Sequence, residues 1–168
     1  MPMYIPVTGT LTRISWPEGS RASMGCTMTL TLQTGDQGIV NFTLPSSAYV
    51  LNARQFAVGD RITCFYENNV AVPLIYPPLY RAVAAAHTPA GTTAVLDTFN
   101  NQLTNSDGTL RLNMSSKTTK TVLPNGQLFV GYLAGKTLLV LYTSSTRSIP
   151  AQTTPEQIVV FCQDMQDT

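Results

Sequence analysis

The sequence contains two copies of one unit, and this repeat constrains the fold more than any other feature. Residues 58–66 resemble residues 134–142, because each stretch opens on a glycine turn, alternates apolar residues and ends on a tyrosine. Each is followed by a polar pair, a loop with prolines and a short apolar run. Five segments match in the same order, which indicates a duplication. The other matched pairs are 29–33 with 109–113, 41–44 with 121–123, and 10–14 with 94–99.

The repeat also predicts the domain boundaries. The two copies span residues 3–87 and 91–163, and the stretch His87-Thr88-Pro89-Ala90-Gly91 joins them. Proline and glycine in so short a stretch are typical of a boundary between elements. We therefore predict two domains, residues 1–87 and residues 88–168.

Each copy has the pattern of short β-strands. Leu30 and Leu32 alternate with threonines, which is the period-two spacing of a half-buried strand. Residues 34–38 hold two glycines and an aspartate, a composition that predicts a hairpin turn. Cys64 falls on the apolar face of a later strand and is therefore expected in the core. Helix is expected only as a turn or two within residues 45–54.

These patterns predict the fold class. The chain has 11 glycines and 11 prolines among its 168 residues, which favours many strands and turns. Five short strands with an added segment between the third and fourth describe a small closed barrel like the oligonucleotide/oligosaccharide-binding (OB) fold. We predict an all-β protein made of two tandem five- to six-stranded small barrels, with sandwiches as the alternative.

The charge balance argues against two classes of partner. Ten basic and nine acidic residues give a net charge of +1, so no long-range field attracts nucleic acid or an anionic membrane. Lys117 and Lys120 form the one basic pair, and no aromatic residue lies beside them for base stacking. The first residues lack the basic and apolar regions of a signal peptide, which predicts synthesis in the cytoplasm.

No pattern in the sequence predicts catalysis. Residues 131–137 nearly spell a phosphate-binding loop, but Lys136 precedes a strand-like run instead of a helix. His87 is the single histidine, and the acidic residues are scattered over turns without forming a pair. We expect no enzyme activity, no cofactor and no metal site.

The three cysteines cannot all pair within one chain. One interpretation is that they are inert, half-buried thiols in a reducing compartment. The other is that Cys26 or Cys162 bonds to another chain, because an unpaired thiol is available for that.

Residues 70–80 form the most unusual stretch, a long loop in which nearly every residue is apolar. Two interpretations remain open: the loop folds over the open end of its own barrel, or it is an exposed ridge that docks on a neighbouring chain. Ile149 lies in a smaller version of this loop in the second copy. The docking interpretation gives a predicted subunit interface of Ile75, Tyr76, Leu79, Tyr80 and Ile149.

Four segments carry a resemblance to a known group of proteins: residues 41–43, 59–66, 73–78 and 145–155. With them the chain resembles small tandem β-barrel proteins of clostridia and related spore-forming Firmicutes, over nearly its whole length. The resemblance implies no established activity, but it suggests a cell-surface or spore-surface setting.

Two functions are therefore considered. The favoured one is a structural subunit that assembles with copies of itself into a filament or a surface structure. The alternative is a binding module for a small ligand or a glycan, for which Trp16 is the best stacking platform.

Overall fold

The computed structural model describes residues 3–115 and 117–162, and this part of the chain is all-β. Its one helical element is a single 3-10 turn, Leu51–Ala53, within the stretch where the sequence allows helix. The chain divides into two compact units. The first unit is Ile5–Ala90, and the second unit combines the described residues after Ala90 with Met3 and Tyr4.

The first unit is a seven-stranded sheet with the order β4-β7-β5-β1-β2-β3-β6. Its strands are β1 (Tyr4–Ser15), β2 (Thr27–Thr34), β3 (Ile39–Pro45), β4 (Tyr49–Val50), β5 (Arg61–Glu67), β6 (Leu79–Arg81) and β7 (Ala84–His87).

The second unit has a four-stranded sheet of order β10-β13-β11-β8 and a separate parallel pair, β12-β9. Its strands are β8 (Thr93–Thr98), β9 (Leu110–Leu112), β10 (Lys120–Val122), β11 (Thr137–Tyr142), β12 (Ala151–Thr153) and β13 (Gln157–Phe161).

The two units share one pairing scheme. The pairs β4–β7 and β3–β6 are parallel in the first unit, and so are β10–β13 and β9–β12 in the second. The pairs β5–β7 and β11–β13 are both antiparallel. Thus β9, β10, β11, β12 and β13 correspond to β3, β4, β5, β6 and β7, while β8 corresponds to β1.

The correspondence extends to single hydrogen bonds. Gly59 donates its N–H to the carbonyl of Leu11 at 2.8 Å, and Leu11 donates back to the carbonyl of Asp60 at 2.8 Å. Gly59 has a positive φ of 98°, and Gly135, the matching glycine of the second unit, has a φ of 79°. A positive φ favours glycine over any residue with a Cβ. The same pair of bonds occurs in the second unit: Gly135 donates to the carbonyl of Phe99 at 2.7 Å, and Phe99 donates to the carbonyl of Lys136 at 3.3 Å.

This pairing corrects part of the sequence alignment of the copies. The sequence matches residues 109–113 with residues 29–33 of β2. Their strand, β9, instead pairs in parallel with β12, as β3 pairs with β6, so β9 corresponds to β3. Residues 121–123 likewise correspond to β4 and not to residues 41–44. The cause is that an alternating Leu-x-Leu strand looks the same at neighbouring positions of a sheet, so its pattern does not reveal its neighbours.

The specific prediction of small closed barrels is not confirmed, because no sheet closes within the described residues. The first unit also has seven strands where five or six were expected. The segment Leu79–His87 contacts both sides of the opening: Ala82 donates to the carbonyl of Thr43 in β3, and Val83 donates to the carbonyl of Phe65 in β5. The sheet is therefore strongly curled but open.

Each unit has its own apolar core, as the strand alternation predicts. In the first core Leu30, Leu32, Phe42 and Cys64 have no exposed surface. The predicted core position of Cys64 is confirmed, and burial raises the pKa of its thiol to about 12. The second core is built around Phe99, Leu138, Val140, Ile158 and Val160.

The predicted hairpin turn is also confirmed. Strand β2 ends at Thr34 and β3 begins at Ile39. The Thr34 side-chain hydroxyl donates to the carbonyl of Gly38 at 2.7 Å, and Gly38 has a φ of 70°. The hairpin fixes the position of β3, the strand on which β6 and the candidate site are built.

Candidate functional site

The candidate site lies at the loop between β5 and β6, residues 68–78, which we call the proline loop. Leu74 at its tip is fully exposed, and Tyr76 is 81% exposed. Ile75 between them is 55% exposed. Because three neighbouring apolar side chains project from the protein, the tip of the loop does not fold over its own sheet. The tip is therefore an exposed apolar ridge, and its docking on a neighbouring chain remains a prediction.

The base of the proline loop has a different environment. Val70 and Val72 line one side of an open groove of about 460 Å³. The end of β5 and strand β6 line most of the rest, together with Thr43 and Val83, and Tyr66 and Tyr80 are the largest side chains. The loop therefore combines an exposed apolar tip with a base that forms one wall of a groove.

An aromatic stack forms part of the groove wall. The rings of Tyr66 and Tyr80 lie parallel, with centroids 4.0 Å apart and an interplanar angle of 4°. Phe42 in the core packs beneath, 5.5 Å from the Tyr80 ring centroid. Burial raises the pKa of Tyr66, and the charge and hydrogen bond of the Tyr80 hydroxyl raise it further. The Tyr66 phenol is therefore neutral at physiological pH and adds a polar atom to an apolar groove.

One charged residue of each sign lines the groove. Glu67 is the last residue of β5, and Arg81 is the last residue of β6. Within the described residues, no three histidine, cysteine or acidic side chains lie close enough together to hold a metal ion. An apolar floor with a few polar groups is suited to binding an apolar or aromatic group in one orientation.

The corresponding loop of the second unit, residues 143–150, is closed by its own polar groups. The backbone N–H of Thr146 donates to the carbonyl of Gln152 at 2.9 Å, and that of Gln152 donates to the Thr146 hydroxyl at 2.9 Å. The Thr153 hydroxyl donates to the carbonyl of Ser144. Ile149 projects from this loop and is 94% exposed.

A further apolar surface lies in the second unit, between β10 and β11. Leu128, Val130 and Tyr132 are 71%, 87% and 88% exposed. Phe129 and Leu133 alternate with them and pack against the core. We call the three exposed residues the apolar stripe. Sequence reasoning missed it, although the run Leu-Phe-Val-Gly-Tyr outside any strand was a visible signal.

The predicted interface residues therefore lie in three places. Ile75 and Tyr76 are at the exposed tip of the proline loop, whereas Leu79 and Tyr80 are half-buried in the groove wall. Ile149 is exposed on the second unit. The structure brings the first four together in one unit, and their role between subunits remains a prediction.

The cysteines differ sharply in exposure. Cys26 and Cys162 are exposed, whereas Cys64 is buried. The interpretation of all three as half-buried thiols is therefore wrong, because Cys26 follows an exposed turn and Cys162 follows the last residue of β13. Exposure makes both thiols available to another chain, and a bond between chains remains a prediction. The residues that follow Cys162 lie outside the described part of the chain.

The near-match to a phosphate-binding loop is resolved by the structure. Lys136 directly precedes strand β11, as expected, and its ammonium donates to the carbonyl of Tyr132.

Trp16, the platform considered for a glycan, is 55% exposed. In the described residues, no helix has the length and apolarity needed to cross a bilayer.

Comparison with known proteins does not assign the chain to a family. No family model matches the sequence, and no curated protein matches it. The function must therefore be inferred from the surfaces of the chain itself.

Proposed function

We propose that the chain is a non-enzymatic structural subunit that assembles with copies of itself into a filament or a cell-surface or spore-surface structure. The observation that carries the proposal is the exposed tip of the proline loop, where Leu74, Ile75 and Tyr76 project together. Contiguous exposed apolar side chains mark sites of association, because their burial releases them from water.

The energetics favour docking of this loop. Burial of one leucine or isoleucine side chain is worth roughly 1.5–3 kcal/mol. Pro73, Pro77 and Pro78 restrict the backbone on both sides of the tip, so less conformational entropy is lost when it docks. Tyr76 adds a ring with a polar end, a combination that is enriched at interfaces.

The distribution of apolar surface favours an open assembly. The first unit exposes the proline loop, and the second unit exposes Ile149 and the apolar stripe. Two different surfaces on one chain suit a head-to-tail contact, which produces filaments wherever the rotation between copies does not close a ring. A bond through Cys26 or Cys162 would strengthen such an assembly covalently.

We further propose that both units are diverged, open forms of a small OB-like barrel. The shared pairing scheme and the segment Leu79–His87, which contacts both β3 and β5, support this view. The resemblance to tandem barrel proteins of spore-forming Firmicutes supports a surface setting after synthesis in the cytoplasm.

The groove supports a second candidate function. Its volume of about 460 Å³ lies within the range of small-molecule sites, and its stacked tyrosines suit an aromatic ligand or a sugar ring. In this alternative the chain is a monomeric binding module.

Size-exclusion chromatography with light scattering separates the two functions. A structural subunit forms large assemblies that grow with concentration, whereas a binding module stays a monomer. The double change Ile75→Asp with Tyr76→Ser is expected to abolish assembly while the β signal in circular dichroism is kept, because both side chains are exposed. Val58→Asp is the matched control, since Val58 is an exposed apolar residue of the same unit outside the loop.

Two results would contradict the proposal. A wild-type chain that remains monomeric at all concentrations supports the binding module instead. Assembly that persists in the double variant shows that the loop tip makes no contact between subunits.

A further inference from the structure

We propose that the apolar stripe of one copy docks in the groove of a second copy, along strand β6. The proposal rests on the self-assembly proposed above and identifies the two surfaces that meet. The occupant of the groove is thus a segment of the same protein, consisting of Leu128, Val130 and Tyr132.

The first support is the outer edge of β6, the side that faces away from β3. This strand is at the end of the sheet order, with β3 as its one neighbour among the described strands. The carbonyl of Pro78 and the N–H of Ala82 bond to β3. Because successive residues of a strand point their backbone groups to opposite sides, those of Leu79 and Arg81 point away from β3. An edge of this kind accepts an added strand from another chain.

The second support is the shape of the apolar stripe. Its exposed side chains alternate with Phe129 and Leu133, which pack inward. Leu128 forms an antiparallel bridge with Val122, so the segment is strand-like from Leu128 to Val130, and the chain then bends at Gly131. Residues 128–130 match a strand edge in their backbone, and Val130 then faces the groove wall that contains Val72 and the tyrosine stack.

The third support is charge. Lys136 lies beside the stripe, where its ammonium contacts the carbonyl of Tyr132. Glu67 and Arg81 line the groove at the ends of β5 and β6. The ammonium beside the stripe is complementary to the Glu67 carboxylate and is repelled by Arg81, and such charges determine the register of an interface more than its affinity.

The fourth support is the position of the two surfaces in different units. The groove belongs to the first unit and the stripe to the second, so each copy retains a free groove or a free stripe after docking. Repetition of this contact extends the assembly. A standard interface buries about 1,200–2,000 Å² in total, so the exposed tip of the proline loop beside the groove is expected to contribute area.

A disulfide trap between two proteins tests the contact. Both proteins carry Cys26→Ser and Cys162→Ser, which remove the exposed thiols, and Cys64 is retained because it is buried. One protein carries Val130→Cys and the other Val72→Cys, two exposed positions. After mixing and mild oxidation, we expect cross-linked heterodimers to form roughly tenfold or more faster than for unassociated thiols, owing to the high effective concentration. The control pair replaces Val72→Cys with Val58→Cys, an exposed valine of the same unit outside the groove.

A charge exchange provides a second measurement. Glu67→Lys and Lys136→Glu are each expected to weaken assembly in light scattering, and the double variant is expected to restore much of it. Restoration is not expected from a merely structural role of either residue.

The outcomes separate this proposal from the proposed function. Equal cross-linking of the Val72→Cys and Val58→Cys pairs in a chain that still assembles overturns the docking contact alone and leaves the groove for a small ligand. A monomeric chain overturns both. Selective cross-linking at Val72→Cys, together with charge rescue, supports both.

Discussion

The loop between β5 and β6 and the loop between β11 and β12 connect equivalent strands. The first loop leaves apolar side chains exposed, whereas the second is closed by its own hydrogen bonds. In the first unit the loop is long and apolar, and its tip projects into solvent at Leu74 and Tyr76. In the second unit the loop is short, and hydrogen bonds among Thr146, Gln152 and Thr153 close it. The loops differ, whereas the strand pairing on both sides of them is the same.

The difference shows where the two copies diverged in their surfaces. Val83 and Glu156 make the same bond to the strand before the loop, to the carbonyls of Phe65 and Leu141 at 2.9 Å each. The positions three residues before them are therefore equivalent, and they hold Tyr80 in one unit and Thr153 in the other. An aromatic residue at this position forms the stack and the groove wall, whereas a threonine binds the loop backbone.

The largest expected effect is the loss of the aromatic stack. Tyr80→Ala is expected to lower the free energy of unfolding by about 2–3 kcal/mol, because it removes contacts with Tyr66 and Phe42 from a half-buried site. Thr153→Ala removes one hydrogen bond and is expected to cost about 1 kcal/mol. Urea denaturation followed by circular dichroism measures both changes. Equal costs would mean that the stack contributes no more than the hydrogen bond.

Much of the fold was predictable from local patterns, because alternation and turn residues act over a few positions. The hairpin at Thr34–Gly38 and the burial of Cys64 followed from such patterns. The assignment of residues 109–113 to the counterpart of β2 was wrong because pairing partners lie far away in sequence. The apolar stripe was missed for a related reason: Phe129 and Val130 are both apolar, and only packing shows that Phe129 is half-buried and Val130 is exposed.

A smaller effect tests the glycine turns that the two units share. Gly59 and Gly135 have φ values of 98° and 79° in equivalent turns, where a Cβ is strained. Each change to alanine is expected to cost about 1–2 kcal/mol. Neither glycine has a neighbouring atom within 4 Å of an added Cβ, so conformational strain is the cause and not a clash. Thermal unfolding of the two variants compares the costs, and clearly unequal losses would show that the turns are not equivalent.

The smallest expected effect is a loss of stability at alkaline pH, and its cause differs between the two units. Burial raises the pKa of Tyr66 and of Tyr142, which are equivalent positions. In the first unit Tyr80 raises the pKa of Tyr66 further, whereas a hydrogen bond with Thr93 lowers that of Tyr142. A raised pKa in the folded state favours the protonated phenol, so its contribution is complete below the unfolded value of about 10 and is lost as the pH rises through the folded value.

The free energy of unfolding is therefore expected to fall above about pH 10, and less steeply in Tyr66→Phe or Tyr142→Phe, because phenylalanine does not ionise. Tyr80→Phe discriminates between the units: it removes the charge and hydrogen bond that act on Tyr66 but leaves the surroundings of Tyr142 unchanged. Urea titrations at roughly pH 8 and pH 11 bracket the transition. In the Tyr80→Phe background, Tyr66→Phe should then reduce the alkaline loss less than it does in the wild type. An unchanged effect of Tyr66→Phe in that background would show that burial alone raises the pKa and that the two hydroxyls do not interact.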